Sequence, residues 1–121
     1  MRKRVYISGP ITNGDRNWNQ YQSNVAHRAL LLAGYAVLNP MPTGVIPFAW
    51  DGSVDHATWL ESDFSFVSVC DMVVRLPGES KGGDMEVEYA KSLGIPVYTP
   101  DDFPCLRDLL PQWRVAVPAA T

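Results

Sequence analysis

MVVRLPGESKGGDMEVEYAKSLGIPVY, Met72 to Tyr98, is the stretch that decides the fold. Met72 to Leu76 is a β-rich run. Pro77 to Gly83 is a glycine-rich loop. Asp84 to Leu93 has helical periodicity and is stopped by Gly94. Ile95 to Tyr98 is a second β-rich run, with Pro96 suited to a strand start or an edge. Strand, helix, strand in this order is a βαβ unit, whose two strands lie parallel with a right-handed crossover.

The same alternation runs outward toward the N-terminus. Arg4 to Ser8 reads as a first strand closed by Gly9-Pro10. A helix follows from about Asn17 to Leu32, with Tyr21, Val25, Arg28/Ala29 and Leu32 as its recurring positions and Gly34 as its stop. Tyr35 to Leu38 is the second strand, ended by Asn39-Pro40. Pro40 to Ser53 is a long loop carrying Phe48 and Trp50, and loops of that length inside compact domains are often functional. Ser53 or Asp55 caps a second helix running to about Val69. Beyond Asp101 the expectation is one short helix around Leu106 to Leu110 and a loosely ordered end from Val115.

The expected fold class is therefore α/β. It is a small doubly wound, flavodoxin- or Rossmann-like parallel sheet of four to five strands with helices on both faces. The 121 residues fit one domain, 1–121, with a core over about 4–98 and a short C-terminal helix and tail over 101–121. Such sheets place ligands beyond the C-terminal ends of their strands. That rule selects Ser8 to Asn13, Asn39 to Asp51 and Pro77 to Gly83.

Composition narrows the partners. A net charge of −3, with no basic block beyond Arg2-Lys3-Arg4, argues against polymeric nucleic acid. No apolar run is long enough to span a bilayer. The run Val5 to Pro10 is too short for a signal-peptide core, so the expected compartment is the cytoplasm. Cys70 and Cys105 show no metal-ligand or redox spacing, and His27 and His56 share none either, so no metal or cofactor is expected.

Two carboxylates fall on apolar stripes. Leu60, Asp63 and Val67 recur at helical spacing, which puts Asp63 near the face that meets the sheet. Burial disfavours its charged form, as a group that hands over a proton near neutral pH requires. Glu86, Ala90 and Leu93 form a second inward stripe, with Glu88 pointing away. Glu86 falls in the expected first turn of its helix, where the dipole favours negative charge. Singly, each has a plain explanation: an Asp hydrogen-bonded at the edge of a face, and an acidic residue complementing a helix N-terminus. As a pair, one protonated and one charged, they match cleavage of a glycosidic bond by an acid and a nucleophile. The glycines at Gly82 and Gly83 let backbone N–H groups approach an anion or sugar hydroxyl near Ser80.

Tyr6-Ile7-Ser8-Gly9-Pro10, Asn39-Pro40, Asp63, Cys70-Asp71, Leu76-Pro77-Gly78, Ser80-Lys81-Gly82-Gly83 and Glu86 occur in one order. In this the chain resembles the nucleoside 2-deoxyribosyltransferase superfamily, most closely its short phage and bacterial branch. It is also similar to the 2'-deoxynucleoside 5'-monophosphate N-hydrolases. The resemblance covers about Val5 to Tyr98, and the Ser80, Gly82, Glu86 spacing is its most specific part. It implies Glu86 as nucleophile, Asp63 as the group assisting departure of the base, and Tyr6 as the residue orienting Glu86. It implies Ser80, Gly82 and the first loop, Ser8, Gly9, Pro10 and Ile11, as substrate-binding positions. It also places Asn39, Asp71 and, as a cover for the base, Trp50 around the substrate. The implied partner is a small nucleoside or nucleotide, and the implied assembly is a homodimer or larger homo-oligomer. The competing expectation is a non-catalytic nucleotide-binding or sensing module of the same fold. A dinucleotide-binding protein is disfavoured by the lack of GxGxxG.

Overall fold

The computed structural model describes residues 1–11, 13–40 and 54–108. Its elements, in chain order, are β1 (Arg4–Ser8), α1 (Arg16–Leu32), β2 (Ala36–Leu38), α2 (His56–Val67), β3 (Met72–Arg75), α3 (Lys81–Ser92) and β4 (Val97–Tyr98). A 3₁₀ turn, Pro100–Asp102, and the short helix α4, Pro104–Arg107, follow. The four strands are all parallel, in the order β2-β1-β3-β4. The expected doubly wound sheet is present, with four strands among the described residues.

Strand alternation divides the core in two. Val5 and Ile7 of β1, with Met72 and Val74 of β3, point to one face and pack on Ala26 and Leu30 of α1 and Leu106 of α4. Tyr6 and Val73 point to the other and pack with Val67 of α2 and Ala90 of α3. Burying both faces explains why Val5 to Ser8 and Met72 to Val74 are buried without a break. Val5 pairs with Met72 and Ser8 with Arg75, so β1 and β3 end together at one edge.

Helix starts are set by side-chain caps. The Asp15 carboxylate accepts from the Asn17 and Trp18 N–H groups, and Asp55 from Thr58. Ser80 caps α3 by accepting from Gly83 N–H. Each occupies a backbone N–H that the helix leaves unpaired, worth about 1 kcal/mol. Three expectations need correcting here. First, α3 begins at Lys81, not Asp84, because Ser80 is a cap and the two glycines are helical. Glu86 therefore lies in the second turn, beyond the strong reach of the helix dipole.

Second, the inner face of α1 is Asn19, Gln22, Ser23, Ala26 and Leu30, while Tyr21 is 52% exposed. Third, Leu93 is 48% exposed, so the inward stripe of α3 is Gly83, Glu86 and Ala90. The C-terminal helix starts at Pro104, whose fixed φ suits a first helical position. β4 starts after Pro96, whose carbonyl accepts from Val73 N–H. No helix among the described residues is long and apolar enough to cross a membrane.

Candidate active site

Glu86 enters the interior from α3 and is 6% exposed. Its two oxygens have separate donors from β1. The Tyr6 hydroxyl donates to Oε2 at 2.7 Å, and the Ser8 hydroxyl donates to Oε1 at 2.7 Å. Tyr6 and Ser8 are two residues apart, so the pleat sends both to the face under α3. Both are fully buried. Burial, with the Glu86 and Asp63 charges beside it, pushes the Tyr6 hydroxyl far above its usual range. It stays protonated and serves as a donor.

Asp63 reaches the same place from α2. Burial first, then the Glu86 charge and a hydrogen bond to Glu86, push its carboxyl from 3.8 up to about 7. The Glu86 charge beside it thus favours the protonated form of Asp63. The raised Asp63 carboxyl is the direction expected for a group on an apolar stripe. Hydrogen bonds from β1, rather than the helix dipole, hold the Glu86 carboxylate.

Both carboxyls open onto a cleft of about 250 Å³ at the C-terminal edge of the sheet. One wall is the α2 stripe His56, Trp59, Leu60 and Asp63, and the other is the start of α3 with Ser80, Gly82 and Glu86. Gly9, Ile11 and Asn13 from the first loop complete it. Among the described residues no group of three His, Cys, Asp or Glu side chains is placed to hold a metal ion.

The cleft therefore brings together Glu86, Asp63, Gly9, Ile11, Ser80 and Gly82, with Tyr6 and Ser8 directly beneath. Ser80 also ties its surroundings together. Its hydroxyl accepts from Gly83 N–H at 2.9 Å and lies 3.4 Å from the Gly9 carbonyl it donates to. Pro10 is buried against Gly78, where an added Cβ would come within 2.8 Å of the proline ring. Asn39 follows β2 and donates from Nδ2 toward Ser23 of α1, so it supports that helix instead of lining the cleft. Asp71 is not brought to the site. It precedes β3 at the opposite edge of the sheet, where its Oδ2 accepts from Arg4 N–H at 2.7 Å. Trp50, Phe48, Thr12 and the Pro42 to Asp51 loop lie outside the described residues.

Arg75 supports the loop beside the cleft, and sequence patterns do not single it out. From the end of β3 its guanidinium donates to the carbonyls of Leu76 and Gly78 and pairs with Asp84 at 3.1 Å. It thereby folds the Pro77 to Ser80 loop back onto α3. Gly83 is required beneath it: a Cβ there would lie 3.0 Å from Ser80 Oγ and 3.1 Å from Arg75 Nε. An arginine ending an otherwise apolar strand is the signal that could have found it. Trp59 and His56 also escape a sequence search because neither interrupts a pattern; they follow from the α2 spacing once Asp63 is placed.

A family model described as a domain of unknown function, DUF4406, matches residues 3–99. No curated protein matches the sequence. Among solved structures, a 2-deoxyribosyltransferase from the psychrotolerant bacterium Bacillus psychrosaccharolyticus is similar, with 22% identity and a TM-score of 0.61. That match covers 79% of this chain and 70% of the other. A conserved protein from Enterococcus faecalis V583 is 18% identical with a TM-score of 0.64, covering 97% and 77%. A 2-desoxiribosyltransferase from Leishmania mexicana is 25% identical with a TM-score of 0.52, covering 80% of this chain and 63% of that one. These likenesses show that the fold is the one found in 2-deoxyribosyltransferases.

Proposed function

The chain belongs to the DUF4406 family, and within it we propose an enzyme that cleaves or exchanges the N-glycosidic bond of a (deoxy)nucleoside or its 5'-monophosphate. The observation that carries this reading is the Asp63–Glu86 pair, with both Glu86 oxygens held by donors from β1. Glu86 is the nucleophile, Asp63 the acid and then the base, and Tyr6 the group that orients Glu86. The fold neighbours that are 2-deoxyribosyltransferases support the same class of substrate.

In the first step a Glu86 oxygen bonds to the anomeric carbon as the bond to the base nitrogen breaks. The bonding pair leaves with the base, and Asp63 delivers its proton to that base. The sugar carries oxocarbenium character in the transition state, next to the Glu86 charge. In the second step water or another base attacks the same carbon and releases Glu86, while Asp63 takes the proton back. The Glu86 charge acts on Asp63, and this closeness supports the covalent course, since a retaining pair sits nearer together than an inverting one. The cleft walls of Trp59 and Leu60, with Trp50 and Phe48 of the long loop, are assigned to the base. Ser80, Gly82 and the Gly9 to Ile11 backbone are assigned to the sugar side. A homo-oligomer belongs to the same proposal and is checked by sedimentation.

The test is a panel of deoxynucleosides and their 5'-monophosphates, with and without an added acceptor base. Free base and new nucleoside are followed by chromatography beside Glu86→Ala. The expected result is base release or exchange by the parent and none by the variant. Release that survives in Glu86→Ala overturns the mechanism. Binding without any turnover replaces the enzyme with a nucleotide-binding module.

A further inference from the structure

The inner face of α1 changes character along its length. Its later half is apolar, with Ala26 and Leu30 in the core. Its first half, nearest the cleft, buries Asn19 at 4% exposure and Gln22 at 1%. Burying an amide costs free energy unless its hydrogen bonds are replaced, so an apolar residue would be the cheaper filler there. On the amide nitrogens the replacements are specific, while Gln22 Oε1 has no hydrogen-bond partner among the described residues. Asn19 Nδ2 donates to the carbonyls of Ile11 at 3.2 Å and Asn13 at 2.7 Å. Both of its N–H groups are thus spent on the first loop. Asn13 Nδ2 in turn donates to the Glu79 carbonyl at 2.8 Å, and Gln22 Nε2 donates to the Pro77 carbonyl at 3.0 Å.

The acceptors belong to the two loops that follow β1 and β3. Ile11 and Asn13 line the cleft, and Glu79 immediately precedes Ser80, which lines it as well. We infer that Asn19 is a positioning residue: it sets the first loop and, through Asn13, the approach to Ser80, at the spacing that the substrate requires. Gln22 holds the second loop directly. Arg75 grips that same loop from β3, so it is clamped from two elements. Glu86 and its donors lie on the other face of the sheet, so Asn19 acts on substrate binding more than on the nucleophile. The inference rests on reading the cleft as the substrate site.

Two variants test it. Asn19→Leu keeps roughly the volume and removes both donors. Asn19→Asp keeps the shape and regains one donor only when its carboxyl is protonated, a state favoured by burial beside two carbonyl oxygens. For the substrate found with the parent enzyme, Asn19→Leu is expected to raise KM about tenfold, the worth of one or two neutral hydrogen bonds, with kcat little changed. The KM of Asn19→Asp, relative to the parent, should recover as the pH is lowered. Amide hydrogen exchange supplies a readout that needs no substrate. The amides of Gly83 and Asp84, which bond to Ser80 at the end of the second loop, should lose protection in Asn19→Leu, while the amides of β1 and β3 keep theirs.

Uniform loss across the sheet means a merely structural role and overturns the inference. So does unchanged loop protection, or an unchanged KM with loosened loops. If the parent turns over nothing in the panel, it is the proposed function that fails, and the exchange pattern alone then decides whether Asn19 sets the loops.

Discussion

Replacing Tyr6 by Phe removes one oxygen from the interior and one of the two donors to Glu86. The ring keeps its place against Val67, Val73 and Ala90. The change is therefore close to a pure deletion of a buried, 2.7 Å hydrogen bond. Bonds to charged acceptors contribute about 1.5–3 kcal/mol, against about 0.5–1.5 kcal/mol for neutral ones. A chain of this size loses about 4 °C in Tm per kcal/mol, so Tyr6→Phe should melt about 6–12 °C below the parent. If the whole loss is expressed in the transition state, base release should slow about 10- to 150-fold. The decisive assay is a double-mutant cycle read by thermal melting at pH 7.5. In a Glu86→Gln background the acceptor is neutral, and Tyr6→Phe should then cost about 1 kcal/mol less than in the parent. Equal losses in the two backgrounds would refute a charged Glu86 held by Tyr6. Tyr21→Phe, on the exposed side of α1, serves as the control and should stay within about 0.5 kcal/mol.

Asp63→Asn should change how stability depends on pH. The native Asp63 carboxyl is pushed from 3.8 up to about 7, so between these values the folded state binds more protons than the unfolded state. Native stability contributed by this group is then lost as pH rises through that window. The parent Tm should fall more between pH 5 and pH 8 than that of Asp63→Asn, and a parallel pair of curves would contradict the assignment. Base release by the parent should decline as pH rises through about 7, because the acid form of Asp63 is consumed. Gly83→Ala gains about 1 kcal/mol of helix propensity, yet its Cβ meets Ser80 Oγ at 3.0 Å and Arg75 Nε at 3.1 Å. Overpacking of about 1–3 kcal/mol plus a weakened cap should leave the variant about 1–2 kcal/mol less stable in urea, and a more stable variant would show that Arg75 moves freely.

The parallel sheet was legible because β1 and β3 are unbroken apolar runs separated by helical periodicity. The carboxylate pair was legible because Asp63 and Glu86 interrupt apolar stripes, where a charged residue needs a reason. The start of α3 was not. Glycine normally argues against a helix, but the Ser80 cap starts α3 at Lys81, and Gly83 leaves room for the guanidinium of Arg75. The inner face of α1 was hidden for a related cause. Asn19 and Gln22 look like surface residues until the carbonyls they serve are in view, whereas Tyr21 looks like core and is exposed. Motif order alone puts Asp71 at the site. Its spacing to Met72 puts it at the start of β3, at the far end of the sheet from the cleft, and a motif order carries no such geometry.

Tyr6 and Glu86 are 80 residues apart in the chain, and Ser8 and Glu86 are 78. Contacts this distant close late, after local helices have formed, because the loop entropy must be overcome first. Glu86, the proposed nucleophile, therefore lacks its Tyr6 and Ser8 donors in any partly folded chain that has not yet paired β1 with β3 and docked α3. A refolding sample would regain helical circular dichroism before it regained base release. Catalytic competence would then mark the last long-range closure in the chain, and half-assembled molecules would be chemically silent.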